Sequence, residues 1–220
     1  MKDIVVYGAG GFAREVAYLI EQINENNPTW NLLGYIDDNK ENQGEILNGY
    51  QVLGNIEWFK NTEKISVALG IGSPKVKKAI VEKLNEFNGK IEFPNLIHPT
   101  VIYSGHNKIG RGNIICEGNL FTCNINLKNF VIVNLNCTIG HDTVIDDYCT
   151  ILPNASISGN VHFSEGVDFG TNATIIQGID VGEYTIVGAG AVVVKSLPSK
   201  CTAVGMPAKP IKFHENNLND

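Results

Sequence analysis

The chain has 220 residues, 43% of them hydrophobic, and a formal net charge of −6. That length holds one domain or two small ones with room for a real core. The acidic balance argues against nucleic acid as a partner, because phosphate binding needs clustered Lys and Arg, and no apolar run approaches the ~20 residues of a membrane span.

The opening MKDIVVYGAGG is a short apolar run followed by glycines, so it reads as a strand and not as a signal peptide. FAREVAYLIEQI then has helical periodicity, WNLLGYIDD reads as a second strand ending in two acids, KISVALGIG as a third, and PKVKKAIVEKLNEF as a second helix. That is a βαβαβ unit over residues 1–96, about half of a doubly wound fold.

From Ile97 the pattern changes. Every sixth residue, from Ile97 and Tyr103 through Ile139 and Ile145 to Val187 and Val193, is large and apolar without a break. Chance gives such a run on the order of once in a million at this hydrophobic fraction. Four residues after each large one, from Val131 to Ala191, stands a small or β-branched residue, and Gly follows the large residue at 110, 140, 170, 182 and 188. A period of six fits neither a helix nor an alternating strand. It fits a β-solenoid in which each hexad supplies one short strand and one turn. SLPSKCTAVGMPAKPIKF reads as a loop and capping strand that close this unit at residue 213. HENNLND, residues 214–220, reads as a polar tail.

Other constellations are weaker. Gly8-Ala9-Gly10-Gly11-Phe12-Ala13 satisfies the GxGxxG/A pattern between a strand and a helix, with Asp37 at the end of the next strand. Only about 96 residues precede the solenoid, half of what a full dinucleotide domain uses, so a mononucleotide or its sugar conjugate is expected there and NAD is not. Cys116, Cys123, Cys137, Cys149 and Cys201 are odd in number and form no CxxC, so neither a disulfide framework nor a zinc site is expected, and a cytoplasmic home is. His106, His141 and His162 lack the short spacing a shared metal would need.

The two halves together resemble the NeuD/PglD-type sugar O- and N-acyltransferases, on VVYGAGGFAREVA, GYIDDN, ALGIGS, NCTIGHDTVI, GTNATIIQG, VGAGAVVVKSLP and AVGMPAKPI. The resemblance implies an α/β half-Rossmann domain followed by a left-handed parallel β-helix, with three hexads per coil and about five coils. It implies acetyl-CoA as co-substrate, a nucleotide-linked sugar as acceptor, and a homotrimer with sites between adjacent β-helices.

By the same resemblance His141 is the general base, Asp142 orients it, and Asn134 contributes from another side of the prism, which calls for two subunits at one site. An imidazole near its ordinary pKa of ~6.5 can take the proton that an attacking amine or hydroxyl must lose, and a carboxylate on its other nitrogen fixes the tautomer. Gly8, Gly10 and Gly11 would border the nucleotide-sugar pocket, Asp37 and Asp38 would contact sugar or base, and Gly70, Gly72 and Ser73 would close one wall. Gly170, Gly188 and Ala189 would let backbone amides approach the CoA arm, one of them serving the oxyanion, with Lys195 and Lys209 toward its phosphates. Phe12 stands where some relatives have a histidine, which leaves the acceptor open. A sugar amine is expected, with O-acetylation of a sugar such as sialic acid, or a non-catalytic nucleotide-sugar scaffold, as the alternatives.

Overall fold

The structure, a computed structural model, describes residues 1–87 and 89–214. The tail expected at 214–220 therefore lies, from residue 215 on, outside the described residues. The chain divides into two compact units between Pro99 and Thr100.

The first unit is a six-stranded sheet with two helices. In chain order it runs β1 (Lys2–Tyr7), α1 (Gly11–Asn26), β2 (Trp30–Ile36), β3 (Ile46–Leu47), β4 (Tyr50–Gly54), β5 (Ile65–Leu69), α2 (Pro74–Asn85) and β6 (Ile91–Glu92). The sheet order is β3-β4-β2-β1-β5-β6, parallel except for the β3/β4 pair. Ile4, Val5 and Val6 are fully buried and every residue of β5 is buried, as parallel strands covered on both faces require. On α1 the buried Ala13, Val16, Ala17 and Ile20 recur at the i, i+3, i+4, i+7 spacing of one helical face.

The strand–helix alternation expected over residues 1–96 is present, with β3, β4 and β6 added to it. β3 and β4 turn at Asn48-Gly49, both with positive φ (50° and 87°), a two-residue hairpin turn of the kind Asn-Gly favours.

The second unit is a left-handed β-helix. Two-residue strands recur every six residues from Lys108–Ile109 to Val192–Val193. Through Thr174–Ile175, each pairs in parallel with the strand 18 residues on, as Leu120–Phe121 does with Thr138–Ile139, and that strand with Ser156–Ile157. Three faces result, and the second residue of each strand is the six-step residue of the sequence. From Ile115 to Val193 these residues are all buried, as is the small-residue row from Val131 to Ala191. Tyr103 is the exception at 49% exposed, although its neighbour Ile102 already bridges in parallel to Leu120, 18 residues on.

Every sixth residue from Gly112 to Gly190 has φ between 51° and 75°, one left-handed corner per hexad. Asn, Asp and Gly tolerate that conformation, which explains most of the row. Phe130 and Tyr148 hold it as aromatics, stacked on each other one coil apart with ring centroids at 5.4 Å. The glycines after the large residues have a different cause. A β-carbon on Gly110, Gly140, Gly170 or Gly182 would stand 2.4–2.5 Å from backbone of the next coil, so these are close-approach positions.

Candidate active site

In the first unit, β1, β2 and β5 all run toward one edge, and their carboxyl ends carry the glycine loop, the acid pair and the ALGIGS segment together. This is where open α/β sheets take ligands. Gly8 has φ +109° and donates its N–H to Ile36 O, and a β-carbon there would stand 3.0 Å from Gly70 O. Gly70 packs so closely on α1 that a β-carbon would lie 2.6 Å from Ala13 Cα. These two glycines are demanded by packing. Around Gly10 and Gly72 there is open space, with nothing within 4 Å of a built β-carbon, and Gly11 meets only Arg14. Gly10 caps α1, whose N-terminal amides suit an anion. Ser73 caps α2 without a side-chain hydrogen bond, so its hydroxyl is not spent on the helix.

The two acids differ. Asp37 Oδ1 accepts the Asn39 N–H at 2.8 Å in a local turn. Asp38 accepts the Tyr7 hydroxyl at 2.9 Å with one oxygen and the Ile56 N–H at 3.1 Å with the other. Burial and the Asp38 carboxylate push the Tyr7 phenol well above its usual pKa, so it stays a donor to that acid. Asp38 thus braces this edge of the sheet through Tyr7 and the start of a 3₁₀ turn.

In the second unit, His141 and Asp142 occupy the corner after the strand Thr138–Ile139, Asp142 in the left-handed position with φ 59°. His141 Nδ1 lies 2.8 Å from Asp142 Oδ2, and the two side chains are 49% and 51% exposed. A carboxylate only accepts, so Nδ1 carries the proton and Nε2 the free lone pair. The His141 N–H and then the Asn124 amide, 3.1 Å from Oδ1, hold the Asp142 carboxyl below its ordinary range. Gly159, one coil on, lies against the ring. A β-carbon there would stand 2.4 Å from His141 Nε2.

Asn134, Gly170 and Gly188 share a different corner, at the end of the face carrying Ile132–Val133, Asp168–Phe169 and Ile186–Val187. Asn134 is 7% exposed, and its Oδ1 accepts the Leu135 N–H at 2.8 Å. The Gly170 and Gly188 amides donate to Val187 O and Ala203 O in coil-to-coil bonds, and neither is spare. Exposed Ala189 donates to no group among the described residues, so of the three only its N–H is left to donate outward. Lys195 and Lys209 are exposed, the latter on the closing strand Lys209–Phe213, which pairs antiparallel with Cys201–Val204.

Residues 3–84 match the PglD N-terminal domain. Over nearly the whole length the chain is similar to the acetyltransferase domain of PglB from Neisseria gonorrhoeae, at 30% identity, 96% of this chain, 100% of that one and a TM-score of 0.86. WeeI from Acinetobacter baumannii matches with the same four values. The chain belongs to the NeuD/PglD-type sugar acyltransferase family.

Another solved relative is PerB from Caulobacter crescentus in complex with CoA and GDP-perosamine, at 25% identity, 96% of this chain, 98% of that one and a TM-score of 0.84. Among curated proteins, the serine acetyltransferase of Synechococcus elongatus is 32% identical over 90 residues, 37% of each chain, so this chain spans about a third of the length of the curated relatives it matches.

Sequence reasoning on the NeuD/PglD-type pattern missed Asn124 and Gly159. Both were legible as the residues 18 before Asp142 and 18 after His141, one coil away in either direction. Among the described residues no three or more His, Cys, Asp or Glu side chains gather as a metal site, and no helix is long and apolar enough to cross a membrane.

Proposed function

We propose that the protein transfers an acetyl group from acetyl-CoA to the amino group of a nucleotide-linked 4-amino-deoxysugar. The observation that carries this reading is the His141–Asp142 pair, with Nδ1 held at 2.8 Å and Nε2 left as the base in a half-exposed corner. The sugar amine attacks the thioester carbonyl, forming a C–N bond, while its proton passes to His141 Nε2. Collapse breaks the C–S bond, and the proton goes on to the departing CoA thiolate. Asp142 stabilises the imidazolium in between, and the Ala189 N–H is the donor for the oxyanion. The solved relatives support the reading: PerB was captured with CoA and GDP-perosamine, and the PglB domain with acetyl coenzyme A.

His141 and Asp142 stand at one corner of the prism, and Asn134, Gly170, Gly188 and Ala189 at another. One site using both sets needs two copies, which supports a homotrimer with three equivalent clefts. Lys195 and Lys209 then serve the CoA phosphates, and the glycine edge of the first unit, with Asp37, receives the nucleotide. We assign the enzyme to cytoplasmic polysaccharide or glycan assembly, a setting that suits five cysteines that form no disulfide.

The test is thiol release from acetyl-CoA in the presence of UDP-, dTDP- and GDP-linked 4-amino sugars, their 4-hydroxy counterparts and sialic acid. Turnover with an amino sugar is expected. Faster turnover of sialic acid, unaffected by Asp37→Ala, would move the activity to O-acetylation.

A further inference from the structure

Two coils before His141, on the same side of the β-helix, a cavity of about 220 Å³ is lined by His106, Lys108, Asn124, Ile125 and Asn126. None of these residues was singled out for binding by the sequence motifs. The strand register builds the cavity. Asn126 pairs with Lys108 above and with Val144 below, so the lining residues stack on successive coils over the corner that carries His141 and Asp142. Asn124, part of the lining, is the residue that donates to Asp142 Oδ1.

The chemistry of the cavity is one-sided. Lys108 is exposed and forms no ion pair with a carboxylate among the described residues. Asn124 and Asn126 add amides, His106 adds a ring nitrogen, and no Asp or Glu lines the space. In a chain of net charge −6, a pocket with a free ammonium and no acid is selective for an anionic oxygen group.

From this arrangement, and resting on the acyl-transfer reading above, we propose that the His106/Lys108/Asn124/Asn126 cavity is the acceptor's anion subsite, taking the negatively charged group that the sugar carries beside its reacting amine or hydroxyl. Neighbouring coils are ~4.8 Å apart, so the cavity is removed from His141 by ~5–10 Å, the scale separating a ring substituent from a group on the far side of the same hexose. Two acceptors carry such a group: a nucleotide-linked sugar at its diphosphate, and a sialic-type sugar at its carboxylate. Lys108 contacts substrate and fixes its register; it takes no part in proton transfer.

The experiment compares wild type with Lys108→Gln and Lys108→Arg. KM for the acceptor is expected to rise roughly tenfold or more in Lys108→Gln, while kcat and the KM for acetyl-CoA stay near wild type, and Lys108→Arg recovers most of the loss. A rise confined to nucleotide-linked sugars assigns the cavity to the diphosphate, and a rise confined to sialic acid assigns it to the carboxylate. Calorimetric titration with inorganic pyrophosphate supplies a readout independent of turnover. Binding by wild type that Lys108→Gln weakens would stand even if none of the sugars were acetylated, which separates this proposal from the activity itself. A rise in KM for acetyl-CoA in place of the acceptor, or no change in either KM or in pyrophosphate binding, would overturn it.

Discussion

The imidazole of His141 rests against the backbone of Gly159, so closely that any β-carbon there would fall 2.4 Å from Nε2 and 2.6 Å from Cε1. The ring position is thus fixed from two sides, by Asp142 at Nδ1 and by a missing side chain at Nε2. Gly159→Ala is expected to displace the ring from its carboxylate and to lower kcat by roughly 10-fold or more, with the coil intact. Gly178→Ala, one coil further on, meets nothing within 4 Å and carries only the strain of φ +73°, about 1 kcal/mol. It serves as the control. Equal turnover in the two variants would mean that the ring is not held where it is needed.

His141→Ala is expected to lower kcat by roughly 10²–10⁴-fold, and acetyl-CoA binding should persist, since the residues proposed for CoA lie on another corner. Asp142→Asn should cost less, because it loosens the base without removing it. Normal turnover in His141→Ala would remove the catalytic assignment.

The His141–Asp142 hydrogen bond also carries a pH signature. The Asp142 carboxyl is held below its ordinary range by the His141 N–H and the Asn124 amide. A carboxyl lowered in the folded state adds stability that is complete above its unfolded value and is lost as pH falls through the folded one. The pair should therefore survive acidification through the ordinary carboxylate range. Carbon-13 titration of Asp142 is expected to show a low midpoint that Asn124→Ala moves upward. A midpoint insensitive to Asn124 would mean that the contact does not persist in solution.

Thiol chemistry should separate Cys123 from the other four cysteines. Cys123 is exposed, whereas Cys116, Cys137, Cys149 and Cys201 are buried. Burial pushes the Cys137 thiol up to about 11, and a protonated, enclosed thiol is a poor nucleophile. Iodoacetamide at pH 8 is expected to label Cys123 alone in the folded protein and all five cysteines after denaturation, as peptide mass mapping would record. Rapid labelling of Cys137 in the native state would contradict the packing.

The β-helix was legible because its period is unforgiving: a six-residue repeat held from Ile97 to Val193 leaves few alternatives, and the pairing 18 residues on is present already at Ile102, though Tyr103 stays exposed. The β3/β4 hairpin escaped notice despite its Asn48-Gly49 signal, because strands of two and five residues carry too little alternation to read as strands. Roles within the glycine loop were harder still. Gly8 and Gly70 answer to packing while Gly10 and Gly72 face open space, and a motif cannot distinguish the two. Nor could it show that Asp38 is bound to Tyr7, a partner 31 residues away that sequence spacing does not reveal.

Asn134 ends the face that carries Val133, and His141 follows the face that carries Ile139, so the two side chains leave one prism on different sides. If each active site joins the His141 corner of one subunit to the Asn134 corner of its neighbour, inactivating substitutions at the two positions should complement each other. His141→Ala and Asn134→Ala, each nearly inactive alone, would be co-expressed with different tags and the mixed trimers isolated. Every mixed trimer holds one site in three with both side chains intact, so activity should return to roughly a third of wild type. Light scattering should show the same trimer in every sample, which excludes a change of assembly as the cause. A mixture no more active than its parts would mean that each site draws both residues from one chain, and the case for a shared cleft would fall with it.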